Sequence, residues 1–353
     1  MRSYMVAPHP RRPRYPGRNP RAFHQKYKEL NPDRYAADVQ KVIEAGKTPA
    51  GVHRPIMVEE VLACLRPKAG ETVVDCTLGG GGHTQAILDR IQPGGRLIGL
   101  DVDPIELPRT EARLRAAGFG PETFSARHGN FAGLAKALAA EGLVTADVIL
   151  ADLGVSSMQL DNPDRGFSYK EPGPLDLRMN PTRGKTGAQL LARLSEAELA
   201  MILRAHADEP HADLIAGILK RRPVDTTHLL ERLVRTGLNA ARPQVSKSDV
   251  KMSVRRTLQA LRIAVNDEFG ALDALLRSLP DCLASGGRVA MLTFHSGEDR
   301  RVKKAFQAGA RAGVYSAVAT DVIRASMSET RANRRASSAK LRWAVRSEGS
   351  EAE

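Results

Sequence analysis

Four consecutive glycines, Gly79-Gly80-Gly81-Gly82, follow a short β-branched run, Thr72-Val73-Val74-Asp75-Cys76, and lead into a helix-forming segment from His83 to Arg90. Strand, glycine loop and helix in that order confine a chain to few folds. They are parallel sheets in which bare backbone and a helix N-terminus face a ligand across the strand ends. The sequence continues in the same rhythm. Arg96–Leu100 reads as a second strand ending at Asp101, with a helix through Arg109 to Ala117. Thr123–Arg127 reads as a third strand with a helix from Phe131 to Glu141, and Asp147–Leu153 as a fourth strand. Such alternation predicts a doubly wound, parallel α/β sheet. It then stops: Arg165–Arg183 is loop-like, and Thr186–Thr236 carries Leu and Ile at helical spacings of three and four. A helix over Val254–Leu279, a strand at Arg288–Thr293 and a last strand at Lys340–Val345 resume the pattern. The predicted organisation is a Rossmann-like domain over 51–160 plus 250–346, with a loop and helical domain, 161–249, inserted after the fourth strand. Residues 1–50 form an arm and linker, and 347–353 a tail.

Composition narrows the function. The 353 residues are 42% apolar, enough for a real core, yet no run approaches the roughly 18 apolar residues of a membrane span. No basic start followed by an apolar stretch suggests a signal peptide. Cys64, Cys76 and Cys282 are an odd number in unrelated contexts, which predicts neither a disulfide framework nor a metal site and places the chain in the reducing cytoplasm. A net charge of +13 favours a polyanionic partner, the competing reading being a basic surface that serves solubility. Residues 1–28 hold eight Lys or Arg and no acid, and the prolines in Arg11-Arg12-Pro13-Arg14 and Arg18-Asn19-Pro20-Arg21 bar a continuous helix. This stretch reads as a basic arm. Residues 33–45 read as a short helix and Gly46–Gly51 as a linker. Aromatic residues, at 4%, argue against a stacking platform lined with rings.

The glycine loop alone admits many ligands. Asp101, at the end of the second strand, suits ribose hydroxyls, an arrangement that nicotinamide enzymes share. The loop's spacing is not G-x-G-x-x-G, and Asp75 stands before it, where an acid can meet the ammonium group of methionine. Both features favour S-adenosylmethionine. Locally, Phe131 reads either as an adenine-stacking ring or as an ordinary core aromatic, His83 as a helix-start residue and Gln159 as a loop polar group. Asp152 lies at the C-terminal edge of the fourth strand, where ligands gather in such sheets.

Longer stretches are more specific. They include Ala151-Asp152-Leu153-Gly154-Val155-Ser156-Ser157-Met158-Gln159-Leu160-Asp161, Gly173-Pro174-Leu175-Asp176-Leu177-Arg178-Met179 and Thr293-Phe294-His295-Ser296-Gly297-Glu298-Asp299-Arg300. With His53–Leu62, Asp75–His83, Arg165–Ser168 and Gln259–Glu268, the chain resembles the bacterial MraW/RsmH family over about residues 51–346. Those are the small-subunit (16S) rRNA cytosine-N4-methyltransferases. The resemblance implies a class I S-adenosylmethionine methyltransferase fold, with the donor held at Gly81, Gly82, His83, Asp101, Phe131, Asp152 and Gln159. It also implies a target pocket lined by Arg165, Phe167, Asp176 and Arg178 and by His295, Ser296, Glu298, Asp299 and Arg300.

The implied reaction is methylation of the N4 amine of a decoding-centre cytidine, on small-subunit rRNA or the assembled subunit, by a cytoplasmic enzyme. The oligomeric state stays open, a homodimer included. That amine's lone pair is delocalised into the ring. An acceptor at Asp152 would take an N–H hydrogen bond and aim the lone pair at the methyl group. Amino-group methyltransferases often carry Asp/Asn-Pro-Pro-aromatic here, whereas this chain has Asp152-Leu153-Gly154-Val155. Contact with the base and contact with the donor alone therefore both remain open for Asp152. The chain also departs from the family at Ala207–Asp213 and Lys251–Val254, which bears on docking more than on chemistry. Two other classes compete: a DNA amino-group methyltransferase, and an RNA-binding or ribosome-assembly factor without activity.

Overall fold

The computed structural model describes residues 55–348. The basic arm, the 33–45 helix and the 46–51 linker expected from the sequence lie outside these residues. Seven strands form one sheet in the order β3-β2-β1-β4-β5-β7-β6. They are β1 Thr72–Asp75, β2 Arg96–Asp101, β3 Phe124–His128, β4 Ala146–Asp152, β5 Leu283–Thr293, β6 Tyr315–Val318 and β7 Lys340–Arg346. β1 to β5 run parallel; β7 lies antiparallel between β5 and β6. This is the Rossmann-like sheet of a class I methyltransferase, as the sequence predicts.

Strand periodicity explains how both faces are buried. Val73, Leu97, Val148, Leu150 and Leu292 point to one side, where α1 (Val58–Leu65), α2 (Gly82–Ile91) and α3 (Glu106–Ala116) supply Leu65, Ile87, Ile91 and Leu114. Val74, Ile98, Ile149, Val289 and Met291 point to the other. There α4 (Leu134–Ala139), α11 (Glu268–Cys282) and α12 (Ser296–Arg311) pack Leu138, Leu275 and Phe306 against them. Runs of buried apolar residues in the central strands, sorted alternately to two helical layers, are what a doubly covered parallel sheet requires.

The helical insertion follows β4. After the short α5 (Ser157–Asp161) come α6 (Gly187–Arg193), α7 (Glu196–Ala207), α8 (Ala212–Leu219), α9 (Thr227–Ala241) and α10 (Lys247–Asn266). Serine or threonine caps open α6, α7, α9 and α10, satisfying first-turn N–H groups. These helices bury a core of their own around Leu199, Leu203, Ile215, Leu230 and Val234. Val250, Val254 and Leu261 of α10 belong to that core, so α10 is part of the helical cluster.

Several elements differ from the sequence expectation, and α1 and α12 are helices that it does not include. The single helix expected over Val254–Leu279 is two, α10 and α11, broken at Asp267 in the left-handed region (φ 48°). Asn266 supplies the reason. Its amide donates to Leu177 O (2.7 Å) and Arg262 O (2.9 Å) and accepts from Met179 N (2.7 Å), fixing the chain end to the loop. A further difference is β6, an edge strand in a segment to which the sequence reading assigns no element.

Candidate functional site

The C-terminal ends of β1, β2 and β4 meet at the glycine loop, and hydrogen bonds hold it from three sides. Asp75 accepts from Thr77 N (3.0 Å) and Thr84 Oγ1 (2.6 Å), and Thr77 Oγ1 accepts from Asp152 N (2.6 Å). Asp101 accepts from Gly79 N (2.7 Å) and Asp103 N (2.8 Å). From α3, Thr110 Oγ1 donates to Gly79 O (2.5 Å) and the Arg113 guanidinium donates to Gly80 O. These bonds within the chain fix the shape of the loop.

The glycines divide the work. A Cβ on Gly81, whose φ is 66°, would sit 2.7 Å from Thr110 Cγ2, and one on Gly82 would sit 2.8 Å from Pro55. Those two positions let the loop pack. Gly80 has nothing nearer than Met158 Cε at 3.9 Å, and Gly79 nothing nearer than 3.8 Å, so the open face of the loop lies at Gly79 and Gly80. Asp75, read as facing an ammonium group, is instead fully buried with both oxygens engaged by the loop's own threonines. Its role here is to shape the loop.

Asp152 is the centre of the site. Its Oδ2 lies 3.7 Å from His83 Nε2, while Asp152 Oδ1 and His83 Nε2 are buried atoms with no hydrogen-bond partner. Burial, then the negative charges of Asp75 and Glu298, push the Asp152 carboxyl up to about 8. Burial drives His83 down to about 4, so its ring is neutral at physiological pH. Asp101 is raised by burial to about 6 against the pull of two backbone N–H groups. Two unpartnered polar atoms beside two carboxylates that resist ionisation form a cradle suited to a positive or hydrogen-bonding group.

The remaining expected donor residues fall into two groups. Phe131 opens a single 3-10 turn after β3 and packs half-buried on the sheet core. Gln159 is buried: its Oε1 accepts from Ser156 N (2.9 Å) in a capping box, and its Nε2 donates to Asp103 Oδ2 (2.8 Å). Arg165 donates to the same Asp103 oxygen at 2.8 Å and to Arg178 O and Met179 O. Asp103, fully buried, was not singled out in the sequence, although Asp101-Val102-Asp103-Pro104 offered the signal. Thr77, Thr84, Thr110 and Arg113 were also missed; Thr77, Thr110 and Arg113 reach Asp152, Gly79 and Gly80 across 75, 31 and 33 residues.

The expected target-pocket residues are scattered in role. His295 caps α12 in a capping box with Glu298, whose Oε2 accepts from Phe294 N (2.8 Å). Burial alone would raise Glu298, but the His295 hydrogen bond and the Arg262 charge bring it below its ordinary value. Glu268, His295 and Glu298 place three potential ligand atoms within 4.8 Å of one another, and Arg262 grips Glu268 through both oxygens. Arg178 and Asp176 pair with each other (2.7 Å). Ser296 and Arg300 both bind Asp208, and Asp299 pairs with Arg342 and Lys340. Phe167, expected in the pocket, is buried in the helical core with the Arg165 guanidinium 5.9 Å from its ring. Of this set, Glu298 lies near enough to Asp152 for its charge to act on that carboxyl.

Comparison with known proteins identifies the family. Residues 50–347 match the model of the MraW methylase family. The chain is 47% identical over 343 residues to ribosomal RNA small subunit methyltransferase H 1 of Lachnoclostridium phytofermentans, covering 96% of this chain and 93% of that one. It is 48% identical over 341 residues to ribosomal RNA small subunit methyltransferase H 2 of Alkaliphilus metalliredigens, covering 95% and 97%. The corresponding protein of Symbiobacterium thermophilum is 40% identical over 323 residues, covering 85% and 98%.

Proposed function

The chain belongs to the MraW methylase family, and from that premise we propose that it methylates the exocyclic N4 amine of a decoding-centre cytidine in small-subunit (16S) rRNA. The methyl donor is S-adenosylmethionine. One observation carries the reading: Asp152, at a strand end beside the glycine loop, keeps an unpartnered oxygen next to an unpartnered, neutral His83. That pair fits a cationic donor and an amine better than an anionic cofactor.

When bound, S-adenosylmethionine supplies a methyl group on a positively charged sulfur. Asp101, oriented by Gly79 N and Asp103 N, keeps lone pairs for ribose hydroxyls. The backbone at Gly79 and Gly80 permits close approach, Gly81 and Gly82 keep that loop in place, and Phe131 offers a partly exposed ring for adenine. Gln159 acts through Asp103, holding the segment that carries Asp101. His83, being neutral, adds no charge against the sulfonium.

Asp152 Oδ1 accepts an N–H hydrogen bond from the target amine and orients its lone pair. After transfer the nitrogen carries a positive charge and must lose a proton. Burial keeps the Asp152 carboxyl mostly protonated at neutral pH in the absence of donor; the positive charge of a bound donor beside it would favour the carboxylate, which would then receive that proton. His295 and Glu298 border the base, and alignment in a dry site does the rest.

No described helix is long and apolar enough to cross a membrane. The substrate is rRNA alone or within the small subunit. Incubating the enzyme with labelled donor and, separately, small subunits lacking the modification, deproteinised 16S rRNA and duplex DNA tests the substrate class. Label is expected in subunits or rRNA and not in DNA. Label in DNA alone would replace this reading with that of a DNA amino-group enzyme, and none anywhere would favour an inactive assembly factor.

A further inference from the structure

A cleft of about 640 Å³ opens on the helical insertion, between the loop after β4 and the first turns of α9. Its charge is one-sided. Lys170, Arg222 and Arg232 line it and are exposed. Among the described residues, none of the three has a carboxylate within ion-pair distance. The single acid in the lining, Glu231, is already held by Arg235 one turn along α9. Tyr169 lies half-buried among these cations, its ring resting on the helical core.

The wall is braced. Leu175 N donates to Asp225 O (2.8 Å), Thr227 N donates to Gly173 O (3.1 Å), and Pro174 bridges Thr226. The same loop is anchored at its other end by Arg165 on Asp103, directly below Asp101. A continuous strap therefore runs from the donor end of β2 to the cleft, with Tyr169 and Lys170 midway.

We propose that this cleft binds the backbone of single-stranded RNA, with phosphates against Lys170, Arg222 and Arg232 and one unpaired base stacked on Tyr169. The inference rests on the RNA-methylation reading and adds where the substrate strand is gripped away from the reacting base. Uncompensated cations around a ring with a fixed floor are the features that hold single-stranded RNA without reading its sequence. A bilayer surface would need an apolar face beside the cations, and Leu229 is the one aliphatic side chain in this lining.

The test uses the full-length enzyme and its variant Lys170→Ala/Arg222→Ala/Arg232→Ala, with Tyr169→Ala and Tyr169→Phe. With unmodified small subunits, the triple variant should raise KM at least tenfold and leave kcat, donor affinity and Tm near wild type. Binding of a fluorescent single-stranded oligoribonucleotide should lose about 2 from its log–log salt slope, since each phosphate neutralised on a single strand contributes about 0.7. Tyr169→Ala should weaken that binding about tenfold, within the range for one stacked base, and Tyr169→Phe should restore it. Unchanged KM and salt slope in the triple variant would overturn the proposal. So would a raised KM for subunits with unaltered binding to deproteinised rRNA, which would assign the cleft to a ribosomal protein. Were the wild type to methylate no RNA, the functional reading would fall, while the oligoribonucleotide measurement would still decide the cleft.

Discussion

Asp152 is a carboxylate in surroundings that penalise its charge, and this has consequences for pH. Its folded pKa of about 8 lies above the unfolded value near 4. Between those limits the folded chain holds a proton that the unfolded chain has lost. The stability of the donor-free protein should therefore fall as pH rises from about 4 to about 8, and then level off. Asp101, raised to about 6, adds to the decline in the lower half of that window. Asp152→Asn should remove its share, so that the variant melts above the wild type at pH 8; thermal scans across pH check this. The same substitution separates the two roles of the residue. At pH 7 donor affinity should stay within about threefold while methyl transfer slows by about a hundredfold or more, the scale of losing an acid–base group. Rate and affinity falling in step would assign Asp152 to the donor alone. This aspartate was legible from its position at a strand end. The convergence of Gln159 and Arg165 on Asp103 was not, because those hydrogen bonds span 56 and 62 residues and leave no trace in local pattern.

At the scale of elements, β1 to β5 and the helices between β1 and β4 followed from hydrophobic runs punctuated by glycine and acid, whereas α1 and α12 were not anticipated. Nor was the break at Asp267, since no proline or glycine marks it; the tie from Asn266 to Leu177 and Met179 is tertiary. β6 was hidden for another reason. Four residues at a sheet edge, two of them exposed, carry too little apolar alternation to stand out. The glycine loop was recognised, yet its glycines serve different ends. Gly81→Ala would force a positive φ and a 2.7 Å approach to Thr110, at a cost of about 1–3 kcal/mol. Gly80→Ala makes only an ordinary contact with Met158 Cε at 3.9 Å and should stay within about 0.5 kcal/mol of wild type. Denaturant melts of the two variants compare the costs directly. Equal destabilisation would mean that Gly81 and Gly80 are not divided between packing and ligand approach.

Taken whole, the chain couples a donor-binding sheet to a helical insertion with a separate core, through a loop anchored at both ends. Charge extends the molecule's reach. The alignments covering 95–96% of the chain run into the basic N-terminal arm, whereas the 85% match accords with the family core alone. Removing residues 1–28 should weaken subunit binding and flatten its salt dependence by about 0.7 to 0.9 for each phosphate that the arm neutralises. Donor affinity should not change; a full salt slope after truncation would make the arm a passive tail. The central claim concerns one atom of one base. It is tested most directly by digesting small-subunit rRNA, methylated by the enzyme with isotopically labelled donor, and identifying the labelled nucleoside and its position by mass spectrometry. The account predicts N4-methylcytidine at a single decoding-centre position, formed about a hundredfold more slowly with Asp152→Asn; label on a ring carbon, on another base or on ribose would contradict it.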